Sequence, residues 1–170
     1  MFREITTSDL KGNIFDMIDK EWFLLTAGDK TEMNTMTCSW GTAGELWAKR
    51  VVIAYVRKTR HTFNFTEKGE YFTLSFFGNH HRDALGICGS KSGRDIDKVA
   101  VTGLTPVYEE SAKDVPYFEE AETVFVCRKL YSDFIDAENF CDENLDSQIY
   151  GLKDYHKFYV GEIVKVYVKE

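Results

Sequence analysis

The chain has 170 residues, 44% of them hydrophobic and 29% charged, which fits one compact globular domain over residues 1–170 rather than a disordered or multi-domain chain. Its net charge of −7 argues against a general nucleic-acid binder, because phosphate backbones reward a basic face. No stretch approaches the roughly 18 to 20 consecutive apolar residues of a membrane helix, and Met1-Phe2-Arg3-Glu4 lacks the apolar core of a secretion signal, so the expectation is a cytoplasmic protein with no membrane partner.

In chain order, Ser8-Asp9 can cap a short helix through Leu10, Ile14, Met17 and Ile18, whose spacing lines up one apolar stripe. Trp22 to Ala27 is a continuous apolar run, and Gly28-Asp29-Lys30 turns it into Met33 to Trp40, which predicts an antiparallel hairpin ended by Gly41-Thr42-Ala43-Gly44. Val51 to Val56 is β-branched and aromatic over a strand-sized length. Thr59 is a candidate N-cap for a helix carrying Phe63, Phe65 and Thr66 and closed by Gly69; Tyr71 to Phe77 then reads as a strand. Asn79 can cap a second helix through Ala84, Leu85 and Cys88, broken by Cys88-Gly89-Ser90-Lys91-Ser92-Gly93, and a third short helix runs from Asp95 to about Thr102 before Gly103. Ala121 to Ile135 and Tyr155 to Lys169 are long strand candidates, flanking an acidic helical stretch from Asp136 to Asp146. Six or seven strands with only short helices between them predict a mainly β, antiparallel barrel, closed or partly closed. No G-x-G-x-x-G follows the first strand, which disfavours a Rossmann domain.

Three segments carry candidate chemistry. Lys49, Arg50, Arg57, Lys58 and Arg60 place five of the 21 basic residues within twelve positions of an acidic chain. They form either a phosphate seat, with a helix start after Thr59 and the Thr62 hydroxyl as further donors, or a solvated basic rim. In Cys88-Gly89-Ser90-Lys91-Ser92-Gly93-Arg94 the glycines permit close backbone approach, and two hydroxyls and a lysine can donate to an anion; an ordinary helix-ending loop explains the composition equally well. Along Asn34-Thr35-Met36-Thr37-Cys38-Ser39-Trp40, the hydroxyls of Thr35, Thr37 and Ser39 share one face, which suits either the polar edge of a flat heterocycle or solvent. Cys38, Cys88, Cys127 and Cys141 form no C-x-x-C pair and read as reduced thiols; no Cys–His pairing marks a nucleophile. His80-His81 are adjacent and His61 and His156 stand alone, so no metal site is expected. Glu162 interrupts an apolar face of the last strand and is expected to latch to an arginine.

The order and spacing of these segments, with Thr102-Gly103-Leu104-Thr105 and His156-Lys157-Phe158-Tyr159-Val160-Gly161-Glu162-Ile163 downstream, resemble the flavin reductase-like family of FMN-binding split barrels, the group that includes flavoredoxin. The resemblance implies a split β-barrel homodimer with FMN near the subunit interface. Carried over by position, Asn34, Met36, Thr37, Ser39 and Trp40 would line the flavin ring; Arg57, Arg60 and Thr62, with Cys88, Gly89, Ser90, Lys91 and Ser92, would surround the phosphate and ribityl chain. The flavin would carry the chemistry, with NADH or NADPH as hydride donor and no side chain acting as acid or base. The alternative is an electron-transfer module reduced by a protein partner, with the acidic 136–146 stretch steering the encounter. Many relatives carry proline before the strand near Val51, where this chain has Arg50.

Overall fold

The computed structural model describes residues 1–170. The strands are β1 (Phe2–Ile5), β2 (Phe23–Gly28), β3 (Met33–Cys38), β4 (Gly41–Leu46), β5 (Lys49–Arg57), β6 (Tyr71–Phe76), β7 (Pro106–Glu109), β8 (Val115–Phe118), β9 (Thr123–Phe134) and β10 (His156–Lys169). The helices are α1 (Ile14–Asp16), continued by a π-helical turn over Met17–Glu21, then α2 (Thr62–Lys68), α3 (Arg82–Ser90), α4 (Lys98–Thr102) and α5 (Glu143–Ile149).

One sheet runs in the order β3-β2-β6-β9-β10-β5-β4, every pair antiparallel. The 14-residue β10 is its spine. It pairs with β9 along its length, while its other edge takes β5 over His156–Glu162 and β1 over Val166–Lys169. Alternation along the curled strands places Phe23, Leu25, Met36, Cys38, Val52, Ala54, Phe72, Leu74 and Tyr159 in one core inside the barrel. A second core, holding Leu24, Leu85, Cys88, Val115, Phe118, Val124 and Val126, lies on the other side of the β2-β6-β9 wall, under α3 and the β7-β8 hairpin. β2 is therefore buried on both faces, the physical reason its sequence is continuously apolar.

The split-barrel expectation holds, and several local expectations change. Ser8-Asp9 lies in a short 3₁₀ turn, and α1 starts only at Ile14, where the Asn13 side chain accepts from Phe15 N–H. The glycine pair Gly41 and Gly44 opens a new edge strand instead of ending the old one. Thr59 does not cap α2, which begins three residues later behind His61, and Asn79 does not cap α3, which begins behind a left-handed His81. Gly69 follows α2 in an extended conformation, whereas Gly103 closes α4 left-handed as expected. The hydroxyl face of β3 meets neither barrel interior nor solvent at its centre: Thr35 Oγ1 pairs with Thr26 Oγ1 at 2.9 Å, and Thr37 Oγ1 donates to the Leu85 carbonyl of α3 at 2.5 Å. Register shifts in β10 at Val160/Gly161 and Ile163/Lys165 disrupt the alternation, so Val164 is exposed while Val166 enters the core. Glu162 is latched by both Lys49 and Arg128, each at 2.7 Å.

Candidate functional site

Two small cavities of about 160 and 200 Å³ share Met36 and Arg60, so they form two ends of one trough between β3, β5, α2 and the end of α3. The first is lined by Met36, Thr37, Ser39, Trp40, Tyr55 and His156, with Cys38, Arg57 and Arg60. The second is lined by Arg60, His61, Thr62, Ser90, Lys91 and Ser92, with Met36, Thr59 and Lys98. No carboxylate lines either end, in a chain with seven more acids than bases. One end is flat-sided and aromatic, the other cationic and hydroxyl-bearing.

The basic cluster divides according to its partners. Lys49 is neutralised by Glu162, Arg50 by Glu45 across the β4-β5 hairpin, and Arg57 by Asp154, at 2.7, 2.6 and 2.5 Å. Arg50 thus serves as one half of a cross-strand pair. Lys58 projects over the Phe134 ring at 4.2 Å. Arg60 has no carboxylate partner and donates to the Gly89 carbonyl at 2.5 Å. Beside it Lys98 is 6% exposed, and its ammonium donates to the carbonyls of Thr35 and Cys88 at 2.7 and 2.8 Å, again with no carboxylate. Burial pushes its pKa down, and the nearby Arg60 charge adds to the shift. A buried cation without a counter-charge is costly, so this end of the trough is electrostatically prepared for an anion. His61 Nδ1 is buried there with no hydrogen-bond partner.

The remaining sequence candidates fall into place around this trough. Asn34 lines neither end; it is buried, and its amide donates to Thr62 Oγ1 at 2.6 Å, tying β3 to α2. Gly93 packs directly against it, since a Cβ there would sit 2.0 Å from Asn34 Oδ1. Arg57 stands at the aromatic end, engaged by Asp154 and the Ile149 carbonyl. Cys88 and Gly89 belong to the last turn of α3 and act through their carbonyls, which hold Lys98 and Arg60. Burial raises the Cys88 thiol to about 11 and that of Cys38 to about 12, which removes both as thiolates at neutral pH. Ser90, Lys91 and Ser92 line the cationic end; Ser90 Oγ donates back to the Gly86 carbonyl at 2.8 Å.

Six lining residues lay outside the cofactor-binding candidates: Cys38, Tyr55, Thr59, His61, Lys98 and His156. Lys98 had a signal, a lysine within the otherwise apolar Val99-Ala100-Val101 turn; Tyr55 and His156 had none beyond their strand positions. His156 is 9% exposed and packs against Trp40 with ring centroids 5.4 Å apart. Burial, reinforced by the Arg57 charge, lowers its pKa to about 4, so the imidazole is neutral at pH 7.

The model of the flavin reductase-like domain matches residues 18–170. The chain belongs to the flavin reductase-like family. Among solved structures, this member of the family is similar to flavoredoxin from Methanosarcina acetivorans, at 22% identity and a TM-score of 0.68, covering 88% of this chain and 69% of that one. It is also similar to an FMN-binding domain of a flavin reductases-like enzyme from Shewanella baltica, at 15% identity and a TM-score of 0.68, covering 99% and 77%. An FMN-binding protein from Thermus thermophilus gives 18% identity and a TM-score of 0.66, covering 96% and 79%. These likenesses establish that the family member shares the split-barrel fold. No match was found among curated proteins. No helix of this family member is long and apolar enough to cross a membrane, and no cluster of three or more His, Cys, Asp or Glu side chains could hold a metal ion.

Proposed function

We propose that the trough binds FMN and that the protein is a flavin oxidoreductase drawing hydride from NADH or NADPH. The observation that carries this reading is the charge sorting: Lys49, Arg50 and Arg57 are paired with carboxylates, whereas Arg60 and Lys98 line the trough unpaired. A phosphate at the cationic end supplies the missing counter-charge, with a hydroxyl donor from Ser92. The other end offers Trp40 and Tyr55 as flat walls and Met36 as a compliant floor for a tricyclic ring. When bound, the flavin supplies the two-electron chemistry. The chain's part is to hold the phosphate, fix the ring and keep acidic groups away from it. Arg60, which has no carboxylate partner, favours added negative charge on a ring lying at the aromatic end.

Trp40 is 48% exposed beside the trough, and we place a second copy of the chain over this side as a homodimer. The decisive experiment is an absorbance spectrum of the purified protein incubated with FMN, then anaerobic NADH and NADPH. Bound flavin that bleaches with either donor is the expected result; failure to retain FMN refutes the site.

A second reading rests on α5 and its flanks. Asp136, Glu138, Asp142 and Glu143 are exposed on a segment that is anchored at the aromatic end through Asp154 and Tyr150. A basic redox protein docked there would lie close to the ring. FMN that resists both nicotinamides yet is reduced by such a partner, in a salt-sensitive way, would select this electron-carrier reading over the reductase.

A further inference from the structure

The segment between β9 and β10 does more than present acids to solvent, because it drives one side chain into the wall of the trough. Tyr150, directly after α5, is 4% exposed, and its hydroxyl lies 2.8 Å from His156 Nδ1. Its ring is clamped by Tyr155, Phe140 and the Arg57 guanidinium, at 4.9, 6.0 and 5.5 Å between centres. The backbone is fixed as well: Tyr150 N–H donates to Asp146, and its carbonyl accepts from Lys153 N–H. A residue held from so many directions sets the orientation of whatever it bonds.

The direction of that bond follows from proton accounting. His156 Nδ1 is the only acceptor within reach of the Tyr150 hydroxyl, since the His156 backbone N–H that also meets its oxygen is a donor. If the imidazole donated from Nδ1, the buried phenolic proton would be left without an acceptor, which is unfavourable. With Tyr150 donating, both groups are satisfied, and the imidazole hydrogen moves to Nε2. That nitrogen has no partner in the protein, and the ring lines the aromatic end of the trough. Burial and the Arg57 and Arg60 charges disfavour a second proton on the imidazole and outweigh Asp154, which favours one and is itself paired with Arg57; neither guanidinium nor the Trp40 indole can accept from Nε2, and the Tyr55 hydroxyl pairs with Thr42 instead.

We infer that Tyr150 is a positioning residue that locks His156 as the Nε2–H tautomer, making the imidazole a fixed hydrogen-bond donor to the heterocycle in the trough. The donor function rests on the flavin reading above; the tautomer does not. A donor of fixed sense recognises acceptor atoms on a ring edge and rejects an N–H presented at the same place. The α5 segment thereby acts on the trough through one hydroxyl.

The test uses ¹⁵N-histidine-labelled protein and long-range ¹H–¹⁵N correlation at pH 7 without ligand, with His156→Gln assigning the resonances. Wild type is expected to show a pyrrole-type Nε2 and a pyridine-type Nδ1, and Tyr150→Phe an averaged mixture. A proton on Nδ1 in wild type overturns the inference. In FMN titrations, Tyr150→Phe should weaken binding roughly fivefold in the wild-type background and less than about twofold in a His156→Gln background, which keeps an N–H donor without needing the tyrosine. Independent, multiplying losses would mean that Tyr150 acts by packing alone, and would overturn it too. An Nε2–H tautomer in a protein that binds no FMN would uphold the role of Tyr150 and sink the flavin reading instead.

Discussion

At the scale of single residues, the trough is defined by which cations lack a partner, and Lys98 is the sharpest case. Its ammonium is buried, bonded only to two carbonyls, and directed at the end of the trough that holds no acid. Lys98→Met keeps length and volume while deleting the charge. It should cost FMN affinity about tenfold or more, as expected for losing a charge-assisted contact of about 1.5 to 3 kcal/mol, and leave riboflavin affinity within about twofold, because only the phosphate senses the charge. Fluorescence-quench titrations with both flavins check this; equal losses for both would place the phosphate elsewhere. Much of the trough was legible in the sequence: Met36, Thr37, Ser39, Trp40, Arg60, Ser90, Lys91 and Ser92 all line it. What the sequence could not display was pairing. Arg57 and Arg60 look alike in a basic turn, and the carboxylate that separates them, Asp154, lies 97 residues from Arg57. Asn34 and Thr62 read as two independent ligand donors, yet they spend their hydrogen bond on each other.

At the scale of elements, β10 carries one titrating group and holds another, and their effects fall mainly in successive pH windows. His156, at its start, has its pKa lowered by burial from 6.5 to about 4. The unfolded chain therefore binds the extra proton first, and stability falls as pH drops from about 6.5 to about 4, by about 3 kcal/mol in total. Near the other end, Tyr167 and Lys165 of β10, with Ser111, hydrogen-bond Glu109 of β7. Burial alone would raise that carboxyl; these bonds outweigh it and hold it at about 2. Its contribution is fully present above about pH 4.5 and is lost as pH falls toward 2. Urea unfolding between pH 7 and 3 should show His156→Gln flattening the upper window and leaving the lower one unchanged; an unaltered slope above pH 4.5 would contradict the buried neutral imidazole. Gly161, at the first irregularity of the same strand, leaves no room for a side chain, since a Cβ would meet Phe72 Cζ at 2.5 Å. Gly161→Ala should destabilise by about 1 to 3 kcal/mol, and Phe72→Leu should recover part of that loss; additive losses in the double variant would place the strain elsewhere. Elements with a strong pattern, such as β2, β5, β9 and β10, were readable because period and length agreed. β4 was not, because Gly41 and Gly44 carry turn chemistry into an edge strand, and β7 and β8 were not, because each is four residues long and contains a proline.

At the scale of the whole molecule, the β4-β5 hairpin presents an anomaly that a lone barrel does not explain. Leu46 pairs with Lys49, so the turn is Trp47-Ala48, and both residues have positive φ, 55° and 54°. Two-residue turns of this kind favour Asn-Gly, since each ordinary side chain there costs about 1 kcal/mol. Trp47 is also 58% exposed, and its ring stands 6.3 Å from Tyr131, itself 6.1 Å from Phe158. A strained, exposed aromatic continuous with two others is what a self-association surface needs, and it lies on the β5-β10-β9 stretch of sheet that also carries His156. Trp47→Asn separates the two effects. Asparagine tolerates the left-handed conformation, so the isolated fold should be as stable as wild type or more so. The dimer, having lost a large anchor, should dissociate at least about tenfold more readily. Sedimentation equilibrium over a dilution series, alongside urea unfolding, reads both signs in one pair of experiments. A wild-type protein that is monomeric at all concentrations and still binds FMN tightly would remove the partner copy from the site, whereas coupled weakening of dimer and flavin affinity in Trp47→Asn would show that the trough is completed by the second subunit.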